Sequence, residues 1–481
     1  MSRRPRKSTL AVPLAVAAAT AAGLLASPAA GQSLEDDLRT LRERFEALEA
    51  ENARMSHEID ELRAAQDPAW LNEQRADEIR SLVADVLADA DTRRSTNLDS
   101  GFMAGWSDHF FLASPDGRFK LAIDGQLQFR YVFNRRERFD RVRDGFEFTR
   151  ARLTLRGHVF GDKLSFLVRT DPTRNEPGLV TGLYYLRDAW IQYQFNDNWA
   201  IRVGQMKVPY NREELVSSAY QQAVERSQIN EAMNAGRTQG IELRWAGETS
   251  KFYFQFNEGT ADSLGGFNLA GGLQPVNTSA LQPGVEYAFA ARWEELLAGE
   301  WRQFQDITSP PDDPFGVMIG VAGFVQEAES IGSGAPRRDE ERWYGAAVDL
   351  SIEYGGANLF AQGLWSYVDN GGFGLINVYG ITVQGGFYTT AKTELFTRFE
   401  YGWWNLGSAA FADLNLLTVG MNYYLDGHDA KLSFDLGAAF SIVDQNWLPE
   451  SSEDNSLTGF RRDFRGQEGQ YVFRAQFQLL F

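Results

Sequence analysis

The chain has 481 residues and a formal net charge of −18, with 65 acidic residues against 47 Lys and Arg. This balance argues against nucleic acid as a partner, because binding to phosphates needs an excess of cations. The absence of cysteine excludes disulfides, thiol catalysis and cysteine-bound metal. The four histidines are not at metal-ligand spacing, and no phosphate-cradling loop or nucleophile elbow occurs, so we predict no cofactor and no enzyme activity.

Residues 1–31 have the features of a secretory signal peptide. Basic residues at positions 3, 4, 6 and 7 precede an Ala/Val/Leu-rich run over 10–25, and small residues follow at 26–31. A short membrane anchor is the alternative, although the apolar run is short for a membrane span. No comparable apolar run follows, so a helical membrane protein is not expected.

Residues 32–92 are predicted to form a periplasmic helical stalk. Nine residues within 34–62 follow one another in alternating steps of four and three, which is the a/d spacing of a coiled coil. They are Leu34, Leu38, Leu41, Phe45, Leu48, Asn52, Met55, Ile59 and Leu62. The seam predicts self-association without deciding between dimer and trimer, and a single amphipathic helix folded onto a domain is the alternative. Residues 93–117 are predicted to be a linker.

From residue 118 to 481 the apolar pattern changes to a period of two, which is typical of strands. Sixteen such segments occur, near 120–134, 146–160, 163–170, 183–195, 198–207, 238–246, 250–257, 285–293, 315–326, 342–354, 357–368, 377–388, 391–403, 413–424, 429–443 and 470–481. Short links alternate with long ones, as in outer-membrane barrels with short periplasmic turns. The link 294–314 is long where a short turn is expected.

These strands predict an all-β transmembrane barrel of sixteen antiparallel strands in the bacterial outer membrane. Closure follows because an open sheet edge in lipid would leave backbone groups without partners. At this size the interior is too wide for side chains to fill, so we predict a water-filled channel for passive diffusion of small hydrophilic solutes. The last strand resembles the signature that the outer-membrane assembly machinery reads, and we assign the insertion signal to Phe477, Leu479 and Phe481.

Several arginines lie out of phase with the apolar stripe and are predicted to line the pore. They are Arg130, Arg150, Arg152, Arg156, Arg169, Arg202, Arg244 and Arg398. Guanidinium groups bind carboxylate and phosphate oxygens in a forked geometry, so a row of them suits the passage of anions. A solvated lumen face, with arginines balanced by acidic residues, is the alternative.

The long segment 208–237 is predicted to be a constriction loop folded into the pore, with an extracellular lid as the alternative. Its charged residues are of both signs and would set pore size and a transverse field. We assign this role to Arg212, Glu213, Glu214, Arg226, Glu231 and Arg237.

The run Val203–Leu215, followed by Glu225-Arg-Ser and Gly236-Arg-Thr-Gln-Gly240, resembles the phosphate-selective porin O/P family, with a resemblance over about 118–481. It implies a trimeric sixteen-stranded barrel whose third loop enters the pore, and a preference for anions such as phosphate. Phosphate-selective members have clustered lysines, whereas the lysines here are scattered.

The stalked form resembles porins with an N-terminal periplasmic coiled coil. The expected partners are further copies of the chain, membrane lipid and the assembly machinery.

A structural role is the alternative function, in which the stalk tethers the outer membrane to the cell wall.

Overall fold

The computed structural model describes residue 54 and residues 101–107, 109–136, 142–171, 185–259, 285–329, 340–370, 374–405, 411–441, 458–461 and 469–481. The predicted signal peptide, almost all of the predicted stalk and the linker up to residue 100 lie outside these ranges. The coiled coil therefore stays a prediction.

Sixteen long strands form one closed antiparallel barrel, as the sequence predicts. They are β3 (Lys120–Arg136), β4 (Val142–His158), β5 (Leu164–Asp171), β6 (Tyr185–Gln194), β7 (Trp199–Lys207), β8 (Arg237–Ala246), β9 (Ser250–Asn257), β10 (Val285–Ala298), β11 (Gly316–Glu329), β12 (Glu340–Tyr354), β13 (Ala357–Asn370), β14 (Gly374–Thr390), β15 (Thr393–Asn405), β16 (Phe411–Asp426), β17 (Ala430–Ser441) and β18 (Gln470–Leu480). Each of these strands pairs with the next one along the chain, including β17 with β18, and β18 also pairs with β3.

The barrel closes where β18 pairs with β3, from Leu480 opposite Gln126 to Gln470 opposite Arg136. Beyond that register, Phe481 and Gly125 exchange backbone hydrogen bonds. A short hairpin, β1 (Met103–Trp106) and β2 (Phe110–Ala113), lies in the segment predicted as a linker, and β2 pairs with the start of β3. β2 and β18 therefore pair with successive parts of the same edge of β3.

We call the end of the barrel where β3 begins the near end, and the opposite end the far end. The turns at the near end are mostly short, such as 355–356 and 391–392. The turn 299–315 is the exception that the sequence indicated, although β10 and β11 still pair as a regular hairpin. We call it the near-end turn; its Phe304 packs against Leu296 and Met318.

The connection between β7 and β8, residues 208–236, folds into the barrel, and we call it the constriction loop. It contains two short helices, α1 (Arg212–Leu215) and α2 (Gln228–Met233). Neither of these, nor any other helix among the described residues, is long and apolar enough to cross a membrane.

Alternating residues of the strands face opposite environments. On β18, the side chains of Phe473 and Phe477 are exposed on the outside, whereas Arg474 and Gln478 are fully buried on the inside. Apolar residues outside and polar residues inside are the reverse of a soluble barrel and are typical of a barrel surrounded by lipid.

Gly125 provides a test of the closing seam. A Cβ atom at this position would lie 2.3–2.6 Å from ring atoms of Phe481, whereas at Gly145, also on a strand, nothing lies within 4 Å. We expect Gly125→Ala to displace the ring and to destabilise the barrel by about 1–3 kcal/mol, as overpacking does. Thermal unfolding in detergent would measure this, with Gly145→Ala as the matched control. Equal unfolding temperatures for the two variants would contradict the importance of this contact.

Candidate functional site: the constriction

The constriction loop fills much of the barrel interior, and almost all of its residues are buried. Its first turn is held by Lys207 at the end of β7, whose ammonium donates hydrogen bonds to the carbonyls of Glu214, Leu215 and Val216. Helix α2 begins at Ser227, whose hydroxyl accepts a hydrogen bond from the amide of Asn230, as an N-cap does. The loop therefore has a defined internal structure.

Glu225 attaches the loop to β3 and β4. Both of its carboxylate oxygens accept hydrogen bonds of 2.7 Å from Arg150, and Oε1 accepts a third, of 3.1 Å, from Arg130. Burial alone would raise the pKa of Glu225, but the charges and hydrogen bonds of Arg150 and Arg130 outweigh it and lower the pKa to about 2. The carboxylate is therefore ionised and bound by two guanidinium groups.

Arg212 attaches the loop to the opposite wall and to the near-end turn. Its guanidinium donates to the hydroxyl of Ser351 on β12 at 2.9 Å, and to the carbonyls of Phe304 and Asp306 at 2.9 and 3.1 Å. The hydroxyl of Tyr210 also donates to carbonyls of β12 and β13. The loop thus spans the lumen between two walls.

Acidic residues of β15 and β17 complete the attachment. Glu400 accepts the backbone N–H groups of Gln228 and Ile229, which begin α2, and Asp435 accepts that of Val224. A carboxylate at a helix N-terminus satisfies donors that have no partner within the helix. These contacts fix the loop against β3, β4, β12, β13, β15 and β17. The arginines that stay partly exposed beside it lie on β5, β6, β7 and β8.

Six arginines on the strands from β4 to β8 form what we call the arginine wall. They are arranged as three groups, each with two arginines around one carboxylate, and the groups follow one another from the far end towards the near end. The groups are Arg152 and Arg187 with Asp171, Arg169 and Arg237 with Asp188, and Arg202 and Arg244 with Glu242.

The nitrogen–oxygen distances in these groups range from 2.6 Å for Arg152–Asp171 to 4.0 Å for Arg187–Asp171. The side chains of Arg169 and Arg244 are 27 % exposed, and that of Arg202 is 18 % exposed. Arg202 lies over the ring of Trp190, 3.9 Å from its centroid, which orients the guanidinium. Glu214 of the loop also pairs with Arg237, so six arginines face four carboxylates and the arginine wall carries an excess of positive charge.

Arg187 is absent from the residues assigned from the sequence, and a β-bulge explains why. Asp188 pairs with Arg169 and Leu186 pairs with Thr170, so Arg187 has no partner across the ladder. Strict alternation would place Arg187 and Asp188 on opposite faces, but at a bulge both turn towards the lumen. No pattern in the sequence reveals this bulge.

The other assigned arginines lie in different surroundings. Arg130, Arg150 and Arg398 are buried beneath the constriction loop, and Arg398 donates to the carbonyl of Glu225 at 2.7 Å. Arg156 lies towards the near end and forms a forked pair with Asp124 at 2.7 and 3.0 Å.

The six residues assigned to the constriction are also distributed. Arg212 and Glu213 face the β12–β13 wall, where Glu213 accepts from Gln362, whereas Glu214 contacts Arg226, Arg237 and Lys207. Glu231 is partly buried in α2. Glu225, which binds both Arg130 and Arg150, is absent from the six, because the sequence marks it only as part of the family motif.

Residues 121–290 match the sequence model of the family described as phosphate-selective porin O and P. The chain is an outer-membrane porin. The match confirms the resemblance noted in the motif at 203–240, which lies within it, and favours a channel over an enzyme. Among the described residues, no group of three or more His, Asp or Glu is arranged to hold a metal ion.

Solved structures with the same fold include an anion-selective porin from Comamonas acidovorans, 13 % identical, covering 75 % of this chain and 99 % of that chain, with a TM-score of 0.52. The outer-membrane channel DcaP of Acinetobacter baumannii is also 13 % identical, covering 78 % and 100 % of the two chains, with a TM-score of 0.50. An uncharacterized protein of Aquifex aeolicus is 22 % identical over 349 residues, which is 67 % of this chain and 82 % of that protein.

Replacing Glu225 by Gln should weaken the attachment of the constriction loop to β3 and β4, which would then depend on the hydrogen bonds of Ser218. Removing one partner of a buried ion pair leaves the other charge uncompensated, at a cost of about 3–5 kcal/mol. We expect a lower thermal stability and a noisier open-channel current in planar bilayers. The matched control is Glu147→Gln, because Glu147 also pairs with Arg130 but its side chain is 45 % exposed. A control variant that behaves like Glu225→Gln would argue against this anchor.

The lowered pKa of Glu225 also predicts a pH dependence. A carboxyl group whose pKa is depressed by folding stabilises the protein fully above its ordinary value of 4.5 and loses this contribution as the pH falls towards about 2. We therefore expect wild-type thermal stability to fall below about pH 4.5, and Glu225→Gln to lack this part of the fall. Parallel curves for both proteins would contradict this.

Proposed function

We propose that this porin is a passive channel that prefers anions, and that the arginine wall is its conduction path. The observation that carries the proposal is the excess of guanidinium groups over carboxylates on the arginine wall, where six arginines face Asp171, Asp188 and Glu242, and Arg237 also pairs with Glu214 of the loop. An anion that approaches one group meets partly exposed N–H donors and a net positive charge. Successive weak sites of this kind allow an ion to enter, move on and leave.

The constriction loop supports the same proposal by confining solutes to this wall. The attachments through Glu225, Arg212 and the N-terminus of α2 hold the loop against β4, β12 and β15, while its first turn also contacts Lys207 and Arg237 at the far ends of β7 and β8. The arginines on the loop's side are neutralised by buried carboxylates, as Arg292 is by Asp349 and Glu294. The excess of positive charge is therefore concentrated where the arginines remain partly exposed.

Phosphate-like and carboxylate anions share the acceptor geometry that guanidinium groups bind, so the charge arrangement suits both. The family match, with its description as phosphate-selective, favours phosphate as the first anion to test.

We further propose that the near end faces the periplasm and that the assembled protein is a homotrimer. Short turns at the near end fit a periplasmic side. The heptad seam at 34–62, which lies outside the described residues, supports self-association. Phe477, Leu479 and Phe481 are exposed on the outer face of the barrel, where an assembly factor would be able to contact them.

Neutralising the partly exposed arginines should reduce the anion preference. We expect the wild type to give an anion-selective reversal potential in asymmetric potassium chloride, and a variant with Arg169, Arg187, Arg202 and Arg244 replaced by Gln to shift it towards cations. Inorganic phosphate should also block the chloride current of the wild type at lower concentrations than that of the variant.

The control is Arg342→Gln, because Arg342 pairs with Glu327 and its side chain is 46 % exposed, on the outer face that also carries Tyr344. Its reversal potential should equal that of the wild type. A cation-selective wild type, or an unchanged potential in the fourfold variant, would overturn the proposal.

A further inference from the structure

A second set of contacts joins the constriction loop to the near end of the barrel, around His428. This histidine lies in the turn 427–429 between β16 and β17, and its side chain is 13 % exposed. Its two ring nitrogens contact different elements. Nε2 lies 3.2 Å from the hydroxyl of Thr308 and 3.5 Å from Asp306, both in the near-end turn, and Nδ1 lies 3.3 Å from the ammonium of Lys431.

Lys431 extends this chain of contacts to the loop. It is buried on the inner face of β17, and its ammonium donates a hydrogen bond of 2.7 Å to the carbonyl of Gln221. Gln478 forms a parallel link, donating to the carbonyls of Ala219 and His428 at 2.9 and 2.6 Å. The segment 219–221 is therefore connected through the His428 turn to the near-end turn.

The protonation state of His428 follows from its partners. An ammonium group can only donate hydrogen bonds, so Nδ1 must be the acceptor and carry no proton. Nε2 then carries the proton and donates towards Thr308. The hydroxyl of Thr308 in turn donates to Asp306, which also accepts the backbone N–H of Thr308 at 2.7 Å. The contact of Nδ1 with Lys431 is satisfied only while the imidazole is neutral.

A second proton would have to go to Nδ1, and this would disrupt the contact with Lys431. Two N–H donors and two positive charges would then face each other across 3.3 Å in a buried site. The ionisable groups around the ring are one cation, two carboxyl groups and two phenols, with Asp429 next in the chain. They are Lys431 of β17, Asp306 of the near-end turn, Glu394 of β15, Tyr220 of the loop and Tyr424 of β16.

We propose that His428 is a positioning residue of the constriction loop, which as a neutral imidazole fastens Lys431 and the loop to the near-end turn and on protonation releases them. Histidine is the side chain that ordinarily changes charge between pH 5 and 8, and this is therefore the range in which the release is tested. The loop remains attached through Glu225, Arg212 and α2, and Ser218 and Gln222 keep hydrogen bonds to β3, β4, β15 and β16, so residues 219–221 are the part that gains freedom.

The first test records single channels of the full-length protein at about pH 7.5 and about pH 5, across the range in which histidine titrates. The wild type should show several-fold more open-channel noise and brief closures at the lower pH. His428→Gln, which stays neutral, should show no such increase. The matched control is His158→Gln, since His158 also lies at the near end but contacts the carbonyl of Gly117; it should behave like the wild type.

A second test measures the position of the loop directly. Because the chain has no cysteine, Ala219→Cys introduces a single thiol at a site that is 5 % exposed. At about pH 5 a maleimide reagent should label it several-fold faster in the otherwise wild-type protein than in the His428→Gln background, and equally fast at about pH 7.5. Comparing the two backgrounds at one pH cancels the pH dependence of the thiol itself.

Equal labelling of the two backgrounds at both pH values, or an unchanged rise of noise in His428→Gln, would overturn the role of His428. These tests are independent of the test of anion preference, because His428 lies outside the arginine wall. We expect the same reversal potential for His428→Gln and for the wild type. A cation-selective channel that still shows the pH-dependent labelling would refute the proposed selectivity alone.

Discussion

In the hydrocarbon of a membrane no water is present to bind backbone N–H and C=O groups, and each unsatisfied group costs several kcal/mol. The barrel meets this constraint by pairing every strand with two neighbours, and the last open edge is closed by β18 against β3. Closure turns one face of every strand towards lipid and the other towards an enclosed space. The polar interior, and everything that functions there, depends on this closed ladder.

The enclosed space is wide enough to accept a segment of the chain, and the constriction loop occupies it. A loop of that length would leave many backbone groups unsatisfied if it were buried among apolar side chains. Here the inward residues of the strands supply the partners: Arg150 binds Glu225, Glu400 binds the start of α2, and Ser351 binds Arg212. The polar lumen therefore serves two purposes, since it is both the wall of the channel and the binding site for its own loop.

These two purposes divide the arginines of the interior. Arg130, Arg150 and Arg398, which are buried beneath the loop, pair with the carboxylates of Glu147, Glu225, Glu213 and Glu400. Those from β4 to β8 outnumber the carboxylates beside them, and Arg169, Arg202 and Arg244 remain partly exposed. An overall charge of −18 gives no indication of this local excess, because acidic residues elsewhere in the chain dominate the total.

The sequence by itself determined the sixteen strands, their order, the inward and outward faces and the segment that enters the pore. It could do so because a period of two and the alternation of short and long links are local properties of the chain. Only the tertiary structure decided which arginines face the free passage, since Arg130, Arg150 and Arg202 have the same phase but different partners across the lumen. The inward orientation of Arg187 also required the structure, because it depends on the register between β5 and β6. The contacts of His428 with Asp306 and Lys431 required it because Asp306 is distant from His428 in the sequence.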